Sequence, residues 1–256
     1  MRRSKTVAKL KEGKFVRCTA LGHVIPAFFK MAAENGYECI WFDLEHRTMD
    51  QREIQMMLAY AHLADIDVMV RTPSTEKQRL YRFLEEGASG FMIPHCSTPE
   101  KAIAVRDAIK FPPLGDRGLD GASFDNGFIY DESADDYVRT ANEETFIVCQ
   151  IETTEAMDNV DAIAAVEGVD VLFIGPGDLG MRLQHDPKGR TLDDAIDIVG
   201  AACEKHGKHW GITAGTLEEL TDRRNRGAKL IPWGGDFGFL KRGLEENGGQ
   251  LAEMGD

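Results

Sequence analysis

Along the chain, short apolar runs bounded by turn residues alternate with longer segments whose apolar positions recur every three or four residues. Apolar runs of four to eight residues predict strands, and the longer 3.6-residue period predicts helices. The pattern gives eight strands, at 15–20, 39–43, 67–71, 90–94, 146–151, 169–174, 209–213 and 229–233. Several are apolar at nearly every position, such as FIVC at 146–149 and VLFI at 171–174. Such runs suit parallel strands buried on both faces better than a sheet wetted on one side.

Helix boundaries carry their own signals. Thr48 with Gln51 and Thr216 with Glu219 read as capping boxes, and Thr98 before Pro99 places an N-cap ahead of a proline at the first helical position. Gly36, Gly87, Gly207 and Gly227 each follow an amphipathic run, where a left-handed cap is wanted. The segment 111–145, rich in Gly, Asp and Pro, interrupts the rhythm between the fourth helix and the fifth strand. Eight strands alternating with about eight helices over 256 residues predict an α/β protein, a (β/α)₈ TIM barrel. A doubly wound open sheet is the rival and needs fewer strands or a second domain. No composition shift, repeat or linker marks a boundary, so residues 1–256 read as one domain.

A barrel of this kind carries its chemistry at the carboxyl ends of its strands. Polar residues collect there: Asp43, Glu45 and His46 after strand two, Arg71 after three, His95 after four, Gln150 and Glu152 at five, Gly177 and Asp178 after six. Two carboxylates at adjacent strand ends make an open, hard-oxygen site suited to Mg²⁺ or Mn²⁺. The plainer role for each acid is to cap the helix that follows it. Histidine titrates near neutrality, as a proton shuttle must. The run Gly175 to Gly180 also fits G-x-G-x-x-G, yet it lies late in the chain and Pro176 removes a backbone donor, which argues against a dinucleotide site. His206 and His209 straddle Gly207 and would not share a helical face as a metal pair.

Six ordered runs, WFDLEH at 41–46, VRTP at 70–73, GASGFMIP at 87–94, PPLGDRG at 112–118, CQIET at 149–153 and FIGPGDL at 173–179, resemble the HpcH/HpaI aldolases over about residues 15–239. The resemblance implies a metal-dependent (class II) aldolase of the phosphoenolpyruvate/pyruvate-binding barrel type. Its reaction would be the reversible cleavage of a 4-hydroxy-2-oxo acid, of the 2-oxo-3-deoxy sugar acid type, to pyruvate and an aldehyde through a metal-held enolate. Carried over residue by residue, it makes Glu152 and Asp178 the ligands of Mg²⁺ or Mn²⁺, with Co²⁺ a further candidate. Arg71 would face the 2-oxo oxygen, and His46 would take the proton of the 4-hydroxyl with Asp43 and Glu45 supporting it. Gln150 and the amides of Gly177 and Asp178 would bind substrate. Glu85 stands where the family offers an aspartate that orients the histidine, and is one methylene longer. Family members exchange a C-terminal helix and form hexamers as trimers of dimers, which implies a homo-oligomer with 236–247 packed on a neighbour. Arg117 would reach a distal carboxylate or order its loop. His95, Cys96 and the 119–130 segment depart from the family pattern, so no aldehyde is assigned. The same superfamily also holds phosphoenolpyruvate mutases and phosphonopyruvate hydrolases, and a non-catalytic barrel that binds 2-oxo acids is a further alternative.

Composition narrows the partners. Thirty Lys and Arg against 43 Asp and Glu leave a formal charge of −13. Nucleic-acid affinity comes mostly from cations that neutralise phosphates, so nucleic acid is not expected as a partner. The basic start, MRRSKTVAKLKEGK, lacks the apolar run of a signal peptide, and no window is apolar enough for a membrane span. Five cysteines without a C-x-x-C pair argue for a reducing cytoplasm and against a zinc ribbon or disulfide scaffold.

Overall fold

The computed structural model describes residues 1–128 and 133–255. Strands β1 (Val16–Leu21), β2 (Cys39–Asp43), β3 (Asp67–Arg71), β4 (Gly90–Ile93), β5 (Phe146–Ile151), β6 (Val171–Ile174), β7 (His209–Ile212) and β8 (Leu230–Gly235) are all parallel. They close into a barrel in chain order, with β8 returning to β1. The expected (β/α)₈ architecture is therefore present. Parallel neighbours need long crossovers, and helices supply them: α2 (Ala27–Glu34), α3 (Gln51–Leu63), α4 (Lys77–Glu85), α5 (Pro99–Ile109), α7 (Thr154–Asp158) with α8 (Val160–Ala164), α10 (Leu192–His206) and α11 (Leu217–Asn225). Among the described residues four further helices decorate this frame: α1 (Lys5–Lys11) precedes it, α6 (Ala134–Glu144) leads into β5, α9 (Pro176–Leu183) starts directly after β6, and α12 (Asp236–Glu253) follows β8.

Two apolar layers hold the barrel. Inside it lie Val16, Cys18, Cys39, Met69, Met92, Phe146, Val148, Val171, Phe173 and Leu230. Between strands and helices lies the larger layer, to which Ile40, Phe42, Val68, Val70, Ile147, Cys149, Leu172 and Ile174 contribute. Alternate residues of each strand thus point in and out, and both sets are apolar, which is why the runs are nearly continuous.

Several boundaries differ from the sequence pattern for identifiable reasons. The N-cap of α3 is Asp50, whose carboxylate accepts from Glu53 N–H at 2.9 Å while Glu53 accepts from Asp50 N–H at 2.8 Å, so the capping box lies two residues beyond Thr48. Thr216 does cap α11, but the Glu219 carboxylate takes the amide of Gly215 instead of Thr216. Strand β6 starts at Val171 because the Asp170 carboxylate, not a strand carbonyl, accepts the Ile147 N–H at 2.8 Å. The interrupting segment contains α6, capped by Ser133; Ile129 and Tyr130 lie outside the described residues. The four glycines expected at helix ends all have positive φ. The basic start is no free patch: Arg2 pairs with Asp67, Arg3 with Glu144, Lys5 with Asp65 and Lys9 with Glu38, and Val7 and Leu10 of α1 join the barrel interior from below. All five cysteines are buried and unpaired, and among the described residues no helix is long and apolar enough to cross a membrane.

Candidate active site

Strand parity decides which polar side chains reach the barrel mouth. Cys39 and Trp41 point inward on β2, so Asp43 does too; Met69 is inward on β3, so Arg71 follows; Phe146 and Val148 are inward on β5, so Gln150 and then Glu152 continue the column. Four expected site residues therefore share one end of the barrel because they share a parity with the apolar layer beneath them.

Arg71 is fixed from three sides. Its Nε and Nη2 donate to Oδ1 and Oδ2 of Asp43 at 3.0 and 2.7 Å, Nη1 lies 3.2 Å from Glu45 Oε2, and the guanidinium sits 4.7 Å above the Trp41 ring. A bidentate pair of this kind fixes orientation as well as charge. Burial alone would raise the Asp43 carboxyl, but the Arg71 guanidinium and the amides of His46 and Glu45 outweigh it and hold the group below its ordinary value. Those amides reach Asp43 Oδ1 at 3.3 and 3.1 Å, which turns the chain sharply after β2. The turn brings the half-exposed His46, whose Nε2 lies 3.5 Å from Glu45 Oε2, to the rim beside Arg71.

Glu152 is only 3% exposed. Its Oε1 accepts the His95 N–H at 2.5 Å, and His95 Nδ1 lies 3.5 Å away. His95 has φ 48°, the left-handed region, which aims this amide at the carboxylate. Gly175 passes so close that a Cβ there would stand 2.6 Å from Glu152 Oε2, so only glycine leaves the carboxylate its place. Burial raises the Glu152 carboxyl, and the charges of Glu45 and Asp178 raise it further, against the lowering by His95. Asp178, in the first turn of α9, is more open and pairs with Arg182 Nη1 at 2.8 Å, which also donates to the Glu152 carbonyl at 3.2 Å. No side chain caps α9, Pro176 has no N–H, and the first helical bond is made by Leu179, so the amides of Gly177 and Asp178 are left for an anion. Two buried polar atoms below this rim lack partners, Gln150 Oε1 and Trp41 Nε1. No cluster of three His, Cys, Asp or Glu poised for a metal occurs among the described residues, so a cation here would rest on two carboxylates completed by water or substrate oxygens.

A model of the HpcH/HpaI aldolase/citrate lyase family matches residues 23–242. The chain belongs to that family. It is 36% identical over 240 residues to a 4-hydroxy-2-oxovalerate aldolase of Novosphingobium aromaticivorans, covering 91% of this chain and 89% of the relative. It is 30% identical to a 5-keto-4-deoxy-D-glucarate aldolase of Klebsiella pneumoniae, covering 82% of each. The solved HpcH/HpaI aldolase of Desulfitobacterium hafniense superposes with TM-score 0.89 at 30% identity, over 98% of this chain and 97% of that one. These relatives are aldolases, so the mutase, hydrolase and non-catalytic alternatives are not favoured.

Within this HpcH/HpaI chain the remaining candidates separate. Glu85 ends α4, which runs down from the top of β3 to the foot of β4, so in a single chain it stands at the other end of the barrel from His46. Its carbonyl accepts the amides of Phe124 and Asp125; burial raises its carboxyl, with Asp125 and Asp120 adding to the rise and Arg117 opposing it. The residue beside His46 is Glu45. Arg117 is buried in its loop, bonded to Asp125 at 2.9 Å and Tyr137 at 3.2 Å, and orders that loop. His206 bonds Asp161 at 3.0 Å on the surface, apart from any metal pair. The residue roles assigned from the sequence omitted Trp41 and Arg182. The parity of Trp41 with Asp43 and the i,i+4 spacing of Arg182 from Asp178 were the available signals.

Proposed function

We propose that the chain is a divalent-metal-dependent aldolase that cleaves a 4-hydroxy-2-oxo acid to pyruvate and an aldehyde. The observation that carries this reading is the inward, buried Glu152 carboxylate, held by the His95 amide with room that only Gly175 leaves, at the same barrel mouth as the Asp43-bound Arg71 guanidinium. Glu152 and Asp178 would hold Mg²⁺, Mn²⁺ or Co²⁺: the oxygen donors suit a hard cation, and the unpartnered Gln150 Oε1 fits a site that takes a polar ligand. Such an ion supplies Lewis-acid stabilisation of the charge that develops on the 2-oxo group.

The chain's own groups account for the remainder. The amides of Gly177 and Asp178 and the nearby Gln150 bind the substrate carboxylate end. Arg71, immobilised by Asp43 and stacked on Trp41, stabilises the developing oxyanion without reorganising. His46 accepts the proton of the 4-hydroxyl as the C3–C4 bond breaks, the C4–O bond becomes the aldehyde carbonyl, and the electron pair passes to C3 as an enolate. Return of that proton to C3 then gives pyruvate and restores the neutral imidazole. Glu45, 3.5 Å from His46 Nε2, steadies the imidazolium formed.

Pyruvate release from a panel of 4-hydroxy-2-oxo acids, with and without divalent metal, tests the reading. Release that ceases with chelator and returns with Mg²⁺ or Mn²⁺ is expected; undiminished release after exhaustive chelation would remove the metal from it. We further propose a homo-oligomer, a hexamer of the family type. Phe237, Leu240, Leu244 and Leu251 of α12 are more than half exposed in the single chain, an apolar run that a neighbour would cover. Light scattering on the purified chain measures the subunit number, and a monomer would defeat this assignment. Pyruvate metabolism and the reduced cysteines support a cytoplasmic setting.

A further inference from the structure

A further histidine–carboxylate pair stands on the catalytic face, outside the machinery described above. His23 lies just beyond β1 and Asp236 just beyond β8. His23 Nδ1 is 2.7 Å from Asp236 Oδ2, which also accepts the Gly22 N–H at 3.1 Å, and Asp236 is 8% exposed. The imidazole stacks on Phe237 with centroids 4.0 Å apart. Carboxylate and ring together orient the histidine, and its Nε2 has no hydrogen-bond partner among the described residues. In the neutral imidazole, a buried carboxylate on Nδ1 selects the Nδ1–H tautomer and leaves Nε2 as an acceptor.

The pair also has a defined place relative to the reacting centre. In a closed ring of eight strands, β1 faces β5, which carries Glu152. Arg47 lies directly across Gly22, where a Cβ would stand 2.9 Å from its Nε, and its Nη1 donates to the His46 carbonyl at 2.8 Å. His23 is thus joined through Gly22 and Arg47 to the turn that holds His46. A substrate anchored by its carboxylate at β5 and β6, with its 4-hydroxyl at His46, would extend its distal end toward β1 and β8.

We infer that His23, oriented by Asp236, is the residue that selects the aldehyde portion of the substrate, and that it takes a hydroxylated one. A hydroxyl can donate to Nε2 while accepting from the neighbouring Arg47 guanidinium; a carboxylate has no proton to offer Nε2, and an alkyl group satisfies neither. This inference rests on the aldolase reading above and adds to it the class of aldehyde.

The test is condensation of pyruvate, with Mn²⁺ present, with glyceraldehyde, succinic semialdehyde or propanal, comparing the wild type with His23→Ala and His23→Gln. Loss of one hydrogen bond should lower kcat/KM for glyceraldehyde about tenfold in His23→Ala, mainly through KM, and leave propanal within about twofold. His23→Gln, which keeps an acceptor oxygen, should recover part of the loss. Equal losses on all three aldehydes, or a loss confined to succinic semialdehyde, would overturn the assignment while leaving the aldolase reading intact. A wild type inactive with every aldehyde would overturn both. Independently of turnover, the ¹⁵N spectrum of His23 should show the Nδ1–H tautomer; an Nε2–H tautomer would contradict the acceptor role.

Discussion

Arg71 and Arg117 are built alike and used differently. Each guanidinium lies over an aromatic ring, Trp41 at 4.7 Å and Phe111 at 4.6 Å, and each is tied to an aspartate, Asp43 at 2.7 Å and Asp125 at 2.9 Å. At the end of β3, Arg71 opens on the barrel mouth with every nitrogen facing a carboxylate. The Arg117 side chain, 1% exposed in the loop before α6, leaves Nε and Nη1 without partners. The same local chemistry stands at the proposed active site where a strand ends at the mouth and holds a loop where it does not. Position relative to the strand ends separates them, and residue type does not.

That contrast can be broken experimentally. The largest effect is expected from Glu152→Gln, which removes a proposed metal ligand and should lower pyruvate release at least about 10³-fold while heat capacity scans keep the wild-type transition. Arg71→Ala should follow at about 10² to 10³, read in kcat; a change confined to KM would mean that it binds substrate without stabilising the developing charge. His46→Ala should cost at least about 10² in turnover with metal binding retained by calorimetry, and an unchanged rate would exclude it as the base. Arg117→Met should leave turnover per folded molecule unchanged but lower unfolding stability by about 3–5 kcal/mol, because the buried Asp125 carboxylate loses its cation and keeps only the hydroxyls of Ser123 and Tyr137. Replacing both, Arg117→Met with Asp125→Leu, should restore most of that loss in urea titrations; an activity loss that persists in the stable double variant would place Arg117 in the chemistry after all.

The smallest effect concerns pH. The Asp43 carboxyl is pushed up by burial and pulled down more strongly by Arg71, so its folded value lies below its unfolded one. Its contribution to stability is therefore complete above the ordinary carboxylate range and is lost as pH falls through the depressed value. Asp43→Asn should flatten that part of the acid limb in a stability–pH profile. A limb of unchanged slope would mean that other carboxylates carry it.

The barrel was readable because both faces of its strands are apolar: β2, β3 and β5 start and stop where the runs do. Helix α6 was hidden because its buried face uses Tyr137, Thr140, Ala141 and Glu144, hardly an apolar stripe. At the site, Asp43, Arg71 and Glu152 were legible as polar residues ending apolar columns. What the residue pattern could not supply is partnership. Nothing in the spacing of Asp43 and Arg71 states that they bond, since the contact depends on the register that sets them side by side on β2 and β3. Glu85 illustrates the reverse: it lies on the helix after β3 as expected, but at that helix's end, so in the single chain it stands at the foot of the next strand and away from His46.

The seam between β8 and β1 has a consequence in time. Val16 pairs with Leu230 and Ala20 with Gly235, so the first and last strands of the ring meet only after nearly the whole chain exists. Until then the nascent sheet carries two open edges, and contacts of such long sequence separation form slowly. Asp236 reaches Gly22 and His23 across that same seam. On a ribosome the rim would thus be completed last, and selection of the aldehyde would begin at the moment the ring shuts.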